Sequence, residues 1–175
     1  MLFRGLETDR LLLKNISAAD REFIFSVFSN DDVNRFLFDA EPLKEIKDAD
    51  DLIDFYTIEE LRWHHRWVLV RKNDGVKLGT CGFHCWDKET GCCDVGYDLL
   101  PDCWGKGYML EAMRTIIKFA KDEMNIKQIN TCIYINNKKS IRLAEKCGFG
   151  FMGQMKDEFF RGKKYPHKIF SLRFD

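Results

Sequence analysis

The chain has 175 residues, which is enough for one domain with a sizeable hydrophobic core but not for two. Its 28 basic and 28 acidic side chains balance, so no general electrostatic field attracts nucleic acid or an anionic membrane. Neither a run of about 20 apolar residues nor the apolar core of a secretory signal is present. We therefore expect one cytoplasmic domain over residues 1–175, with no nucleic-acid or membrane partner.

The first half of the chain predicts both strands and helices. Arg10–Ile16 is apolar and β-rich, which indicates a first strand, and Ser17–Asp20 has the spacing of a capping box that opens a helix through Phe28. The charged segment from Leu43 to about His64 carries scattered apolar residues that are typical of a helix. Turns then separate three predicted strands, Trp67–Arg71, Lys77–Trp86 and Cys92–Leu100.

The pattern changes after the third of these strands. Apolar residues from Leu110 to Met124 recur at helical spacing, which predicts an amphipathic helix. Gln128–Ile135 alternates apolar and polar residues like a strand, and Ser140–Cys147 is a short predicted helix that Gly148 closes. Two last strands flank the turn at Arg161–Lys163, so the order of elements is that of a mixed α/β domain.

The cysteines raise the question of a metal site. They number seven, an odd count, and several lie in apolar, strand-like runs, which indicates reduced and buried thiols. Cys81, Cys85, Cys92, Cys93 and His84 invite a zinc hypothesis. Their spacing matches no familiar zinc motif, and alternate strand positions point to opposite faces of a sheet. We therefore predict no metal site.

One segment between the Cys92–Leu100 strand and the following helix has the composition of a phosphate-binding loop. Two glycines one residue apart let backbone amides approach a ligand, and the helix N-terminus adds unpaired N–H groups and a positive dipole. A Gly-x-Gly pair alone is weak evidence, because it matches neither the dinucleotide-binding nor the Walker A pattern. The segment consists of Trp104, Gly105, Lys106, Gly107, Tyr108 and Met109.

A second segment, Asn137–Ser140, places an Asn and a Ser at a helix start, where both residue types are ordinary capping groups. It leads into Glu145–Phe149. Together with Gly96-Tyr97, the Trp-Gly-Lys-Gly-Tyr loop and Glu111-Ala112, these residues resemble the GNAT acetyltransferase superfamily. The opening Glu7–Lys14 is similar to the first strand of the branch that contains the ribosomal-protein N-terminal acetyltransferases.

The resemblance implies both a fold and a cosubstrate. The fold would be a mixed, mostly antiparallel sheet, splayed between its fourth and fifth strands (Cys92–Leu100 and Gln128–Ile135) and flanked by helices. The glycine loop would bind the pyrophosphate of acetyl-CoA, and the pantetheine arm would lie in the gap, held by Asn137 and by the backbone near Leu99 and Leu100. Met109 fills a place that usually holds Gly or Ala, so its side chain would crowd the pyrophosphate.

The resemblance also implies that a neutral amine attacks the thioester directly. Many members place a Tyr four residues before the Gly-Phe pair, where this chain has Ala144. Ser140 is then the best candidate to hydrogen-bond the leaving sulfur, and Tyr134 is another hydroxyl nearby. Asp94 matches an acidic position of the fourth strand and is the candidate base. The alternative bases are Asp98 and His84.

The acceptor stays open between a protein N-terminus and a small-molecule amine. At about pH 7 an α-amine costs roughly 1 kcal/mol to deprotonate and a lysine roughly 4–5 kcal/mol, which modestly favours α-amines. The acidic run from Glu45 to Asp54 would attract a cationic acceptor, although a solvated helix face explains it as well. A groove for small amines would be closed by the Leu37–Trp63 segment, and a groove for peptides would be open.

A non-catalytic acyl-CoA-binding sensor is the alternative function. Ala144 and Met109 support it, and the presence of Asn137 and Ser140 opposes it. The late aromatic strands fit either core packing or pairing between subunits, so the sequence leaves both a monomer and a homodimer open.

Overall fold

The computed structural model describes residues 3–58 and 63–174. In this part of the chain the strands are β1 (Leu6–Glu7), β2 (Leu11–Asn15), β3 (His65–Arg71), β4 (Lys77–Asp87), β5 (Cys92–Leu99), β6 (Gln128–Tyr134), β7 (Gly150–Phe160) and β8 (Lys163–Arg173). They form one sheet in the order β1-β2-β3-β4-β5-β6-β8-β7. All neighbours are antiparallel except β5 and β6, so the sheet is mixed, as predicted.

Helices cover both faces of this sheet. Within the same described ranges they are α1 (Arg21–Phe28), α2 (Asp31–Asn34), α3 (Asp48–Thr57), α4 (Tyr108–Glu123) and α5 (Lys138–Lys146). Short 3-10 turns precede α1 and α4, at Ala18–Asp20 and Pro101–Cys103. None of these helices is both long enough and apolar enough to cross a membrane.

The sheet opens between β5 and β6. These parallel strands pair only from Cys92 to Asp94, opposite Gln128 to Asn130. Beyond Asp94, β5 continues to pair with β4 as far as Leu99, and β6 continues to pair with β8. The two strands therefore diverge in the middle of the sheet, which confirms the predicted splay between the fourth and fifth strands of the sequence analysis.

Two apolar layers hold the helices to the sheet. On one face α4 buries Met113 and Ile116 against strand residues that include Trp67 and Phe83. On the other face α1 and α3 bury a smaller cluster; its members include Ile24, Ile53, Val68 and Val70. Full burial of each such side chain contributes about 1.5–3 kcal/mol. Both layers therefore hold β3, and the α4 layer also holds β4 and β5 in place beside the opening.

Two predicted helix boundaries are confirmed in detail. The Ser17 N–H donates to the Asp20 carboxylate at 2.9 Å, which completes the capping box before α1. Gly148 has φ +90° after α5, and the next amide, that of Phe149, donates to Ala144 O at 3.0 Å. The left-handed conformation is why a glycine is needed at this helix end.

Other boundaries differ from the prediction. The helix expected over 43–64 is confined to Asp48–Thr57, and residues 59–62 of that segment lie outside the described residues. The helix predicted from Leu110 begins at Tyr108, because Gly107 acts as its left-handed N-cap. The two-residue strand β1 and the single turn α2 were not predicted, since neither is long enough to show a hydrophobic period.

Candidate active site

The glycine loop leads directly into α4. Gly105 has φ +74° and Gly107 has φ +80°, a region that only glycine enters without strain. No heavy atom outside the neighbouring residues lies within 4 Å of a Cβ placed on Gly105, so the space beside the loop is open. The first N–H groups of α4, from Tyr108 onward, have no partner within the helix and carry its positive dipole. This arrangement fits an anionic group such as a phosphate.

A clamp from the N-terminal strands holds this loop. Arg10 forms an ion pair with Glu111 at 2.6 Å, and its Nη1 donates to the carbonyl of Lys106 at 3.0 Å. Thr8 donates a second hydrogen bond to Glu111. Burial disfavours the charged form of Glu111, but the hydrogen bonds from Thr8 and Arg10 outweigh it and lower the pKa of the carboxyl. The opening motif of the chain thus positions a loop about one hundred residues later.

Two side chains of the loop segment have defined contacts. The Trp104 indole N–H donates to the carbonyl of Leu99 at 2.7 Å, and the Lys139 ammonium lies 4.3 Å from the Trp104 ring centre. Met109 is only 6% exposed and belongs to the core beneath α4. The expectation that its side chain crowds a pyrophosphate was therefore wrong, because at that helix position the side chain points inward. Lys106 is exposed at the rim.

The backbone of β5 alternates between its neighbour and the gap. The Leu100 N–H donates to Leu78 O at 2.9 Å, so its hydrogen bond is directed toward β4. Successive strand residues direct their backbone groups to opposite sides, so the N–H and C=O of Leu99 and Tyr97 face the gap. The Leu99 carbonyl accepts from Trp104, as described above. Of the two predicted backbone positions, Leu99 faces the opening and Leu100 does not.

The start of α5 borders the gap from the opposite side. Asn137 caps this helix, since its Oδ1 accepts from the Ser140 N–H at 3.2 Å. The capping role considered for Asn137 is therefore present. The Ser140 hydroxyl does not cap; it lies 2.7 Å from the hydroxyl of Tyr97 on β5. Sequence reasoning missed Tyr97, and its only signal was its place in the Gly96-Tyr97 pair of the family motif.

Asp94 lies where the sheet begins to open. It is opposite His84 on β4 and Asn130 on β6, in the last register pair before the strands diverge. Burial raises the pKa of its carboxyl, while a hydrogen bond from Asn130 and the nearby charge of Lys156 oppose that rise. On β5, Asp94 alternates with the core residues Cys93 and Val95, so it faces the side of the sheet that carries α1 and α3.

The two alternative bases have other surroundings. Asp98 is buried and bound to Arg66 at 2.9 Å, and the same guanidinium nitrogen donates to Thr80. Its charge is therefore committed to this ion pair. His84 packs directly over Gly96, and burial, with a smaller contribution from the charge of Arg66, lowers the pKa of its imidazole to about 4.

Tyr134 lies at the end of β6 and, like Asp94, faces the side of the sheet that carries α1 and α3, where it packs in a group of aromatic rings. Its hydroxyl accepts from Asn136 at 3.0 Å, and its ring lies 5.0 Å from that of Phe38 in an edge-to-face contact. Phe38 also stacks on Tyr165 of β8, with ring centres 3.7 Å apart. Tyr134 and Ser140, both predicted as hydroxyl donors, thus have different partners. We call Phe38, Tyr134 and Tyr165 the aromatic wall.

Part of the acidic run near α3 has structural partners. Asp48 accepts hydrogen bonds from the backbone N–H groups of Lys44 and Glu45, at 2.8 and 2.9 Å. Asp50 pairs with Arg21 at 2.7 Å. These contacts fit the explanation of the run as a helix start and a surface face.

The cysteines are free thiols in varied surroundings. Burial raises the pKa of Cys81 to about 12 and that of Cys132 to about 11, which disfavours the thiolate that a nucleophile or a metal ligand needs. No three His, Cys, Asp or Glu side chains converge on one point within residues 3–58 and 63–174.

The opening of the sheet beside a glycine loop and a helix N-terminus is the arrangement that the resemblance to the GNAT superfamily implies. Residues 10–150 match the family model described as an acetyltransferase (GNAT) domain, so the chain belongs to the GNAT family of acetyl-CoA-dependent N-acetyltransferases. The uncharacterized N-acetyltransferase YoaA of Bacillus subtilis is 29% identical over 173 residues, which cover 98% of this chain and 97% of that protein.

Two solved structures share the fold. The microcin C7 self-immunity acetyltransferase MccE, in complex with acetyl-CoA and AMP, has a TM-score of 0.85 and 24% identity, covering 95% of this chain and 93% of its own. The spermidine N-acetyltransferase of Vibrio cholerae, in complex with CoA and spermine, has a TM-score of 0.82 and 18% identity, covering 93% and 95%.

Proposed function

We propose that this protein transfers the acetyl group of acetyl-CoA to the primary amine of a small molecule, through the opening between β5 and β6. The observation that carries the proposal is the divergence of these strands beyond Asp94, next to the glycine loop. A gap in the middle of a sheet leaves backbone groups without strand partners, and an extended amide-bearing arm supplies partners for them.

The residues around the gap fit acetyl-CoA. The N–H groups at the start of α4 would hold the pyrophosphate, with Lys106 at the rim and with the Arg10 clamp fixing the loop. The backbone of Leu99 and Tyr97 would pair with the pantetheine arm, and Asn137 would border it from α5. Each of these groups lies on the α4 and α5 side of the opening.

The two faces of the sheet separate the amine from the leaving group. Acetyl-CoA supplies the thioester carbon that the amine nitrogen attacks, so that a C–N bond forms as the C–S bond breaks. The proton that the nitrogen loses balances the proton that the sulfur gains. Asp94 would accept the nitrogen's proton, directly or through a water, and Ser140 would hydrogen-bond the sulfur on the opposite side.

The segment after α2 covers part of the proposed acceptor groove, which supports a small-molecule amine as the acceptor. Within the aromatic wall, Phe38 packs on Tyr134 and Tyr165, and Glu41 nearby accepts a hydrogen bond at 3.0 Å from Arg161 in the turn between β7 and β8. The start of the 37–63 segment thus lies over the end of β6, as expected for a groove that excludes a long peptide. A protein N-terminus is the second candidate acceptor, because an α-amine costs less to deprotonate than a lysine.

We also propose that the protein works in the cytoplasm, as a monomer or a homodimer. Seven free thiols support a reducing compartment. The amine acceptor and acetyl-CoA are the partners that the proposed reaction requires.

Incubation of an amine panel with acetyl-CoA, followed by mass spectrometry, tests the proposal. The panel contains amino acids, spermidine, aminoglycosides, lysine with a blocked α-amine, and short peptides with varied N-termini. Acetylation of small amines faster than the uncatalysed rate supports the proposal, and preference for peptides favours the second candidate. Binding of acetyl-CoA without any acetylation would favour the non-catalytic sensor.

A further inference from the structure

The hydroxyl groups of Tyr97 and Ser140 meet across the opening of the sheet. Tyr97 lies on β5 and Ser140 in the first turn of α5, 43 residues apart in the chain. Their oxygen atoms are 2.7 Å apart, whereas the Tyr97 oxygen is 3.4 Å from the backbone carbonyl of Ser140. The contact between the two hydroxyls is therefore the stronger one.

Ser140 lies on the same face of α5 as Ala144, the position where many members of the family have a Tyr. Ala144 follows Ser140 by four residues, so both lie on the same face of the helix. Ala144 is fully buried and offers no hydroxyl. Tyr97 brings a phenol to this face from the sheet instead of from the helix, and its hydroxyl meets that of Ser140.

We propose that Tyr97 is a positioning residue for the acetyl transfer: its hydroxyl donates a hydrogen bond to Ser140 Oγ and thereby directs the Ser140 hydroxyl hydrogen toward the leaving sulfur. This inference rests on the proposed function of Ser140. A phenol is a stronger acid than a serine hydroxyl, so Tyr97 is the preferred donor of the pair. The Ser140 N–H is already bound to Asn137 and does not compete for the contact.

The surroundings of Tyr97 suit a donor that keeps its proton. Burial is the largest influence on the phenol and raises its pKa to about 12. Tyr97 therefore stays neutral and does not itself give up a proton during the reaction. Tyr97 instead fixes the direction in which the Ser140 O–H bond points. The hydroxyl then needs no reorientation when negative charge develops on the sulfur, which lowers the free energy of activation.

The test compares binding of CoA with binding of desulfo-CoA, which lacks the sulfur, by titration calorimetry. The proteins are wild type, Tyr97→Phe, Ser140→Ala and the double variant, with Ser26→Ala on the exposed side of α1 as the control for loss of a hydroxyl. We expect wild type and the control to prefer CoA by a factor of about five, the value of one hydrogen bond. Tyr97→Phe should reduce this preference to about twofold, and adding it to Ser140→Ala should change nothing further.

Three results would overturn the inference. They are an unchanged preference in Tyr97→Phe, a further loss in the double variant relative to Ser140→Ala, and a wild type that does not distinguish the two ligands. None of them needs an acceptor, so they are separate from failure of the proposed acetyl transfer, which the amine panel decides. With an acceptor in hand, Tyr97→Phe should lower kcat about fivefold at an unchanged KM for acetyl-CoA.

Discussion

Asp94 and His84 are register partners on β5 and β4, yet burial moves their pKa values in opposite directions. Each group loses water that stabilises its charged form, so the carboxyl becomes a stronger base and the imidazole a weaker one. At this scale, environment distinguishes the candidate base Asp94 from the alternative base His84. Burial thus strengthens Asp94 as a proton acceptor, whereas His84 remains a neutral packing group over Gly96.

Replacement of Asp94 by Asn tests its role as the base. The change keeps the size of the side chain and removes its proton affinity, so kcat with the identified amine should fall about 100-fold near pH 7. The loss should shrink as pH approaches the pKa of the amine, because the amine then deprotonates in solution. Rate measurements across pH check this, with Asp122→Asn on the exposed side of α4 as the control. Equal losses at every pH would contradict the assignment.

His84 should make the fold sensitive to mild acid. Its folded-state pKa of about 4 lies below the ordinary value, so between about pH 6.5 and 4 the unfolded chain binds more protons than the folded one. Stability should therefore fall as pH falls through this window. Between about pH 7 and 5, wild type should lose about 2 kcal/mol more unfolding free energy than His84→Asn, as followed by urea denaturation. Parallel losses in the two proteins would show that His84 titrates normally.

At the scale of elements, the glycine loop depends on a strand far from it in sequence. Arg10 at the edge of β2 binds both the loop carbonyl of Lys106 and Glu111 in the first turn of α4. The loop, the start of α4 and the first strands therefore form one unit, in which Gly107 is the left-handed N-cap of the helix. A Cβ on Gly107 would lie 3.4 Å from Arg10, which leaves room for a short side chain apart from the backbone strain.

Matched substitutions at Gly107 separate charge from strain. Asn and Asp have nearly the same shape and both tolerate positive φ better than other residues, but Asp adds a negative charge next to the proposed pyrophosphate position. We expect acetyl-CoA to raise the melting temperature of wild type and, to a smaller extent, of Gly107→Asn, and to leave Gly107→Asp unchanged. Equal stabilisation of all three proteins by acetyl-CoA would show that the loop is not part of the acetyl-CoA binding site.

At the scale of the whole molecule, the segment after α2 meets β6 and the β7–β8 hairpin over the proposed acceptor side. Phe38, which follows α2, packs on Tyr134 of β6 and Tyr165 of β8, and Glu41 binds Arg161. A surface pocket of about 350 Å³ lies between these segments. The exposed ion pair adds little stability, so the aromatic contacts carry most of this closure.

Phe38→Ala should therefore affect the acceptor and not acetyl-CoA. Loss of the aromatic wall should raise the KM for a small amine about tenfold, or about 1.4 kcal/mol, at an unchanged dissociation constant for acetyl-CoA. Phe159→Ala is the matched control, because Phe159 lies in the same hairpin with 73% of its surface exposed. Steady-state kinetics with both substrates decides. A changed affinity for acetyl-CoA in Phe38→Ala would show that the wall supports the whole site instead.

Local features of the site could be predicted from sequence alone. The glycine loop, the helix after it and the caps at Asn137 and Gly148 depend on residues within one turn of each other, so their chemistry is readable in order along the chain. Of the strands beside the gap, Gln128–Ile135 was likewise predicted from its apolar alternation, and Cys92–Leu100 from the turn that precedes it. The resemblance to a family added the splay, which no local pattern contains.

The remaining features depended on tertiary structure. Which way the Met109 side chain points, and which partner neutralises Asp98, follow from packing against elements distant in sequence. Tyr97 meets Ser140, and Arg10 meets Glu111, only because the sheet register and the position of α4 and α5 bring them together. By itself, the sequence determined the longer strands and helices, the glycine loop and the family, but not the short elements β1 and α2. Tertiary structure alone decided which hydroxyl faces Ser140 and which carboxylate is bound in an ion pair with Arg66, because both depend on burial and on contacts across the sheet.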